Sequence, residues 1–226
     1  MLTVYTRSHT PRLTYVLRFL LDSEDFRVTD SPEAYLSAER PALCYDREHL
    51  GRGLHIPPCG ILAGRTPAVP RPPMGKDAEG NPVLYPDARS DMGFDPLGAA
   101  FYLLARCEEY GAKTLDSHGR YQPGVSVLSA MGCLERPIVD EWALALRRRI
   151  RAACPGALPR ERKGAIVITH DIDLPYRYRA RGPLHTAGGF LRDLCSLRPA
   201  EALRRAKCLL HLAPDPYFNL EALARA

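Results

Sequence analysis

The sequence lacks the features of secreted, disulfide-bonded and membrane-spanning proteins. Its first ten residues, M-L-T-V-Y-T-R-S-H-T, contain no apolar stretch of signal-peptide length. No later run approaches the ~20 apolar residues of a membrane span. The seven cysteines are an odd number and none forms a C-x-x-C pair, which argues against a disulfide framework and a cysteine-based zinc site. These absences predict a soluble protein of the cytoplasm.

A nucleic-acid-binding signature is also absent. The formal net charge is +5, but the Lys and Arg residues are dispersed over the 226 positions. The densest cluster, Arg147-Arg148-Arg149 with Arg151, falls on one amphipathic helix pattern without interleaved aromatic residues. We therefore interpret it as a solvated helix face and predict no nucleic-acid partner. A hydrophobic content of 46% is ordinary for a globular protein of one large or two small domains.

The first half of the chain alternates strand and helix patterns. Residues 2–5 form a short β-prone run, and Thr10-Pro11 resembles the N-cap and first position of a helix that reaches residue 21. Two more strands are predicted at 42–45 and 53–56. This β-α-β rhythm is typical of the α/β class. The apolar residues at helical spacing predict one buried face, made of Leu13, Val16, Leu17, Leu20 and Leu21.

Proline divides the middle of the chain. Residues 63–90 contain six prolines, which predict a long loop without a helix or a central strand. Asp95-Pro96 then begins a helix pattern that continues to about Tyr110. Pro137 begins another, with apolar residues on one side and arginines on the other, which is expected to end at Pro155.

These patterns predict one whole domain, followed by a linker and the beginning of a second domain. Residues 1–155 form an α/β domain, and the charged, proline-rich residues 156–163 form a linker. Residues 164–226 begin a second domain, with helices expected at about 188–197, at about 199–212 and from Pro216 onward.

The most informative stretch is A-I-V-I-T-H-D-I-D, residues 165–173. A short run that is apolar on both faces predicts a strand buried in a parallel sheet. Asp171 and Asp173, two residues apart on an extended segment, point the same way at its carboxyl end, where ligands bind in such sheets. A divalent metal relieves their repulsion if one carboxylate binds it while the other takes a proton from metal-bound water. In the alternative, one aspartate caps the turn with Thr169 and the other is solvated.

The stretch Thr169-His170-Asp171-Ile172-Asp173 resembles the first motif of the polysaccharide deacetylase family. The resemblance implies a distorted (β/α) barrel, with Asp171 as the general base and Asp173 as a metal ligand, usually to zinc. His170 replaces an aromatic residue of the family motif and is interpreted as a packed or hydrogen-bonded neighbour. Phosphatases of the haloacid dehalogenase type and nucleotide-sugar glycosyltransferases also use D-x-D, but the residues and signatures that accompany it there are missing.

The resemblance extends upstream of this motif. Several segments resemble an uncharacterised domain that precedes a deacetylase-like domain in some bacterial proteins, among them residues 94–110, 116–121 and 137–140. The second half of the family's metal site, an H-x-x-x-H pair, is missing from this sequence. One carboxylate holds zinc poorly, because such sites normally need three protein ligands. We therefore expect a chain truncated within the deacetylase domain and inactive by itself.

The predicted function is that of the amino-terminal part of a metal-dependent carbohydrate deacetylase, which hydrolyses acetyl groups on a glycan. The alternative is a non-catalytic module that binds a glycan or a protein and keeps the motif as a remnant. The sequence does not indicate the oligomeric state.

Two polar groups of the first domain allow a different catalytic interpretation. His118 could act as acid or base with Asp116 or Glu109. In the structural interpretation, Asp116 and Gly119 form a turn and Arg120 pairs with a helix carboxylate. We favour the structural interpretation over the catalytic one, because no nucleophile or metal triad accompanies these residues.

Overall fold

The computed structural model describes residues 2–66, 70–112, 114–156, 158, 166–167, 169, 171 and 174–218. The chain divides into two compact units, Met1–Arg162 and Lys163–Ala226. It is of the mixed α/β class, as predicted, with a parallel sheet and helices. Most of the predicted linker 156–163 lies outside the described residues. Among those residues, no helix is long and apolar enough to cross a membrane.

A four-stranded parallel sheet lies at the centre of the first unit. Its strands are β1 (Leu2–Tyr5), β2 (Phe26–Thr29), β3 (Pro41–Cys44) and β4 (Leu54–His55), in the order β2-β1-β3-β4. Strand β1 is central and buried along its whole length, and its Val4 pairs with Val28 and Leu43. The predicted strands β1, β3 and β4 are present, whereas the half-buried β2 has no strong apolar pattern and was not predicted.

Helices α1 (Pro11–Leu21) and α2 (Pro32–Leu36) follow the first two strands. Helix α1 begins as predicted, because the Thr10 side chain accepts a hydrogen bond from the backbone N–H of Leu13. It ends at Asp22, which takes the left-handed conformation with φ of 50°. The five apolar residues predicted for its inner face are all buried.

The proline-rich segment contains a hairpin where a loop was predicted. Strands β5 (Met74–Lys76) and β6 (Pro82–Leu84) pair antiparallel. Pro82 is tolerated because it is the first residue of its strand in a two-stranded sheet. Asp77 and Gly80 close the turn, since the Gly80 N–H donates to the Asp77 carbonyl over 3.1 Å and Gly80 has φ of 85°.

Three further helices complete the first unit: α3 (Pro96–Leu104), α4 (Val127–Ala130) and α5 (Ile138–Ala153). Helices α1, α3 and α5 contact one another. Helix α3 ends at Leu104 rather than near Tyr110, because Arg106 adopts φ of 54° and breaks the helical path before a short 3-10 turn. Helix α5 begins and ends where predicted, with Trp142 and Leu146 among its buried residues.

The second unit contains α6 (Pro183–Cys195) and α7 (Pro199–Leu209). Helix α6 begins earlier than predicted because Pro183 serves as its first-turn residue. The third predicted helix is absent at residues 216–218, which follow Asp215 in a turn; residues 219–226 lie outside the described part.

The predicted buried strand is wrong at the two of its residues that the structure describes. Ile166 and Val167 are not in a strand, and they are 93% and 80% exposed. A strand of a parallel sheet needs neighbouring strands to satisfy its backbone N–H and C=O groups. Among the described residues from 166 to 218 there is no such strand.

Candidate functional site

A cavity of about 480 Å³ opens at the carboxyl edge of the four-stranded sheet. Its walls are formed by residues 6–8 after β1, by residues 45–48 after β3, and by Pro58, Gly60, Leu62 and Ala63 after β4. Strands β1 and β3 are neighbours in the sheet. From β1 the chain continues to β2 at one edge of the sheet, whereas from β3 it continues to β4 at the opposite edge. Such a reversal between adjacent parallel strands creates a crevice where ligands bind in open α/β sheets.

An ion pair spans the two strand ends at this crevice. Asp46 is 6% exposed and accepts hydrogen bonds from the Arg7 side-chain Nε at 3.0 Å and from the Arg7 backbone N–H at 3.3 Å. The Arg7 guanidinium lowers the pKa of Asp46 to about 2. The Asp46 carboxylate therefore stays ionised and fixes the arginine in one orientation.

The charges around the cavity are balanced. Arg7 and Arg47 line it together with Asp46 and Glu48, so two positive and two negative side chains are present. Glu48 also approaches the Arg7 guanidinium, at 3.4 Å. The cavity thus offers both hydrogen-bond donors and acceptors without a net charge.

A buried carboxylate lies beneath the cavity and joins three segments of the first unit. Asp95 is 1% exposed and accepts hydrogen bonds from the Tyr45 hydroxyl and the Cys59 N–H, each at 2.9 Å. It also caps α3 by accepting from the N–H groups of Leu97 and Gly98. Burial raises the pKa of Asp95, while these donors stabilise its charged form.

Gly98 is required by this arrangement. A Cβ atom at this position would lie 2.3 Å from the Cys59 sulfur and 2.7 Å from an Asp95 carboxylate oxygen. The glycine therefore lets the start of α3 approach the segment that forms the cavity wall.

The loop that forms the far wall is attached to α1. The Thr10 hydroxyl donates to the Leu62 carbonyl over 2.9 Å. The Arg12 guanidinium donates to the Ile61 carbonyl over 3.0 Å and lies 5.0 Å from the centre of the Phe101 ring. The wall is therefore held by side chains of the helix that follows β1.

The match to known families covers this unit. A family model described as a family of unknown function (DUF7033) matches residues 2–155. The chain belongs to the DUF7033 family. This confirms the prediction that its first part is an uncharacterised domain, but the match provides no link to deacetylases. Neither the curated proteins nor the solved structures contain a match to this chain.

The motif predicted to be catalytic lies beyond the residues matched by the DUF7033 model. Thr169 and Asp171 are exposed, whereas His170 and Asp173 lie outside the described residues. Within the part of the chain that the structure describes, no group of three or more His, Cys, Asp or Glu side chains is placed to hold a metal ion. The described residues therefore do not fit a zinc site by themselves, and the zinc assignment stays a prediction.

The other polar groups of the DUF7033 unit hold turns and helix ends. Gly119 and Asp116 form the predicted turn, with the Gly119 N–H donating to the Asp116 carbonyl over 3.0 Å. Arg120 pairs with Asp116 at 2.8 Å rather than with a helix carboxylate, because the turn brings the two side chains together. Glu108 accepts hydrogen bonds from the Ser126 hydroxyl and the Val127 N–H, at 2.7 and 2.9 Å.

Sequence reasoning missed the cavity at the sheet edge. The sequence does contain a signal for it, since two predicted strands are followed directly by polar segments. These segments are T-R-S after β1 and D-R-E after β3 and Tyr45. Their adjacency depends on the strand order, which the sequence pattern does not reveal.

Proposed function

We propose that the DUF7033 unit is a binding module for a neutral, hydroxyl-rich ligand, a sugar, in the cavity at the sheet edge. The observation that carries this proposal is the Arg7–Asp46 pair, fixed across the carboxyl ends of two adjacent parallel strands. Each sugar hydroxyl both donates and accepts hydrogen bonds, and a guanidinium beside a carboxylate matches that pattern.

The charge balance favours a neutral ligand over an anionic one. Two arginines and two carboxylates line the cavity, so a phosphate group would meet as much repulsion as attraction. The volume of about 480 Å³ lies within the range of small-molecule sites, which is about 300–1,000 Å³.

The experiment is saturation-transfer NMR of the 226-residue chain with a panel of N-acetylated and unacetylated mono-, di- and tetrasaccharides. Arg7→Gln is expected to remove the signal, because it removes the donor that Asp46 orients. Arg27→Gln on β2 is the matched control, since Arg27 is exposed and does not line the cavity.

A second variant guards against a loss of folding in Arg7→Gln. Ala63 lines the cavity and is exposed, so Ala63→Phe should block ligand entry and leave the ion pair intact. A sugar signal that persists in both variants, or that is absent from the unmodified chain, would overturn the proposal.

The T-H-D-I-D motif supports a second proposal for the other unit. We propose that this chain is the amino-terminal part of a metal-dependent carbohydrate deacetylase of the (β/α) barrel type. Asp171, the base implied by the resemblance, is exposed and accessible to substrate. Asp173 is the proposed zinc ligand, and further ligands are required because a single carboxylate does not hold zinc.

Metal analysis of the purified gene product tests this second proposal. Asp173→Ala is expected to lower the zinc content, whereas Asp30→Ala, at an exposed site of the first unit, should leave it unchanged. Equal zinc in the Asp173→Ala variant and the unmodified protein would remove the ligand assignment.

A further inference from the structure

A second cavity, of about 490 Å³, lies within the second unit beside α6 and α7. Its wall carries an excess of positive charge. Two carboxylates, Asp193 and Glu201, line it together with five arginines, which leaves three positive charges in excess. The whole 226-residue chain has a net charge of only +5. The arginines are Arg177, Arg181, Arg192, Arg198 and Arg205.

Both carboxylates already have partners. Asp193 is buried with Arg205 and accepts from its Nε at 3.0 Å and its Nη2 at 2.8 Å. Glu201 accepts from the Tyr178 hydroxyl at 2.6 Å and lies 3.4 Å from the Arg177 guanidinium. The two carboxylates of the wall are therefore already paired with two of its arginines, Arg205 and Arg177.

The other three arginines have no such partner. Within the described part of the chain, Arg181, Arg192 and Arg198 form no ion pair. They come from three places: the loop before α6, the last turn of α6 and the residue just before α7. The N-terminal end of α7 adds a partial positive charge next to Arg198.

A buried aspartate holds the loop that carries Arg181. Asp215 is 2% exposed and accepts hydrogen bonds from the backbone N–H groups of Arg177, Tyr178 and Arg179, at 2.6, 2.8 and 3.2 Å. The Arg179 side chain also donates to the Cys208 carbonyl of α7 over 2.9 Å. The loop is thereby attached to the end of α7, so one side of the cavity is built in advance of ligand binding.

Two adjacent glycines shape the α6 side of the cavity. A Cβ on Gly189 would lie 2.5 Å from the Arg205 guanidinium, so a side chain at this position would force that guanidinium to move. Gly188 also lines the cavity, but a Cβ there would meet nothing within 4 Å. A glycine inside a helix is unfavourable, and at Gly188 it leaves the cavity free of a side chain.

We propose that this cavity binds the phosphate group of a soluble phosphorylated small molecule. Arg181, Arg192 and Arg198, which form no ion pair with the residues that the structure describes, supply three guanidinium groups, and each can bind phosphate oxygens through paired N–H donors. All the residues that line this cavity belong to the second unit, and none of them lines the cavity of the DUF7033 unit.

Calorimetric titration of the 226-residue chain with pyrophosphate at low salt tests the site. One pyrophosphate per chain is expected, and the double variant R192Q/R198Q should weaken binding at least tenfold. R147Q/R148Q is the matched control, because it also removes two positive charges, but from α5 in the first unit. An equal loss in the control, or no binding by the unmodified chain, would overturn the proposal.

Gly188→Leu tests the cavity without changing any charge. It should raise the melting temperature, because leucine favours a helix more than glycine does, and it should abolish pyrophosphate binding by filling the cavity. Full binding by this folded variant would show that the phosphate lies elsewhere.

One competition experiment and one membrane-binding experiment distinguish the two possible sources of the phosphate. Displacement of pyrophosphate by glucose 6-phosphate is expected for a soluble ligand. Flotation of the chain with phosphatidic acid vesicles, lost in R192Q/R198Q, would overturn the assignment to a small molecule.

Discussion

The two cavities are nearly equal in volume, at about 480 and 490 Å³, but they differ in charge. Two arginines and two carboxylates line the cavity of the first unit, whereas five arginines and two carboxylates line that of the second. The number of arginines alone does not decide which ligand each accepts. The deciding quantity is the net charge of the side chains that line each cavity, which is zero in the first and three positive charges in the second.

A buried aspartate supports each cavity, but the two are used differently. In the first unit, Asp95 joins a strand end, a loop and a helix N-terminus. In the second, Asp215 holds three consecutive backbone N–H groups of one loop. The first cavity therefore depends on tertiary packing around a sheet, and the second on the attachment of a loop to two helices.

The largest effect is expected from Asp95→Ala. The substitution removes the cap of α3 and leaves the buried Tyr45 hydroxyl and the part-buried Cys59 N–H without an acceptor. A lost cap costs about 1 kcal/mol and each buried unsatisfied group about 1–3 kcal/mol, partly offset by the removal of a buried charge, so we expect a loss of about 3 kcal/mol. Urea unfolding followed by fluorescence of Trp142, the only tryptophan, measures it.

Asp30→Ala, at an exposed position, is the control for this measurement and should change the free energy of unfolding by less than about 0.5 kcal/mol. Pyrophosphate binding should survive in Asp95→Ala if the second cavity is independent of the first unit. A loss below about 1 kcal/mol would mean that Asp95 does not support the first cavity.

The next largest effect is expected from Asp215→Ala. The N–H groups of Arg177, Tyr178, Arg179 and Tyr217 lose their acceptor, and we expect a loss of about 2 kcal/mol, less than for four fully buried groups because water can replace part of the bonding. Hydrogen exchange at residues 177–179 should accelerate.

Asp215→Asn is a milder substitution at the same site and serves as the control for hydrogen exchange. One oxygen remains, which can accept two of the four hydrogen bonds, so exchange rates should fall between those of the unmodified chain and of Asp215→Ala. Unchanged exchange in Asp215→Ala would contradict the role of this carboxylate in holding the loop.

Elements with strong local signals were predictable from the sequence. Thr10-Pro11 and Asp95-Pro96 each mark a helix start through a side-chain cap and a fixed φ, and the buried face of α1 follows from the spacing of its leucines. The β5–β6 hairpin was not predictable in this way, because its prolines mask a strand pattern that edge positions tolerate.

The candidate sites were less predictable because they depend on long-range pairing. Arg7 and Asp46 are 39 residues apart and meet only because β1 and β3 are neighbours. The five arginines of the second cavity are spread over residues 177–205, from the loop before α6 to α7, so the sequence alone does not show that they line one cavity. In contrast, the run before Asp171 has a local strand pattern, yet its residues Ile166 and Val167 are exposed, since a local pattern provides no pairing partners.

Acid pH tests the Arg7–Asp46 pair of the first cavity. The pKa of Asp46 is lowered from 3.8 to about 2 by Arg7, so its contribution to stability is complete above about pH 4 and is lost as the pH falls toward 2. Because Arg7 is 56% exposed, solvent screening reduces the contribution to about 1 kcal/mol. Urea unfolding at pH 5 and pH 2.5 should therefore differ less in Asp46→Asn than in the unmodified chain, and an equal difference in both would contradict the role of this pair.

The smallest effect, and the most direct comparison, is expected from salt. Raising NaCl from about 50 to 500 mM shortens the Debye length to roughly a third, so the exposed Arg192 and Arg198 should attract pyrophosphate less strongly. We expect a several-fold loss of pyrophosphate affinity, which corresponds to about 1 kcal/mol or less. Sugar binding at the first cavity should change by less than a factor of about two, since an uncharged ligand gains no long-range attraction. If salt lowered the affinity for the sugar and for pyrophosphate by the same factor, the difference in charge between the cavities would not control which ligand each one binds.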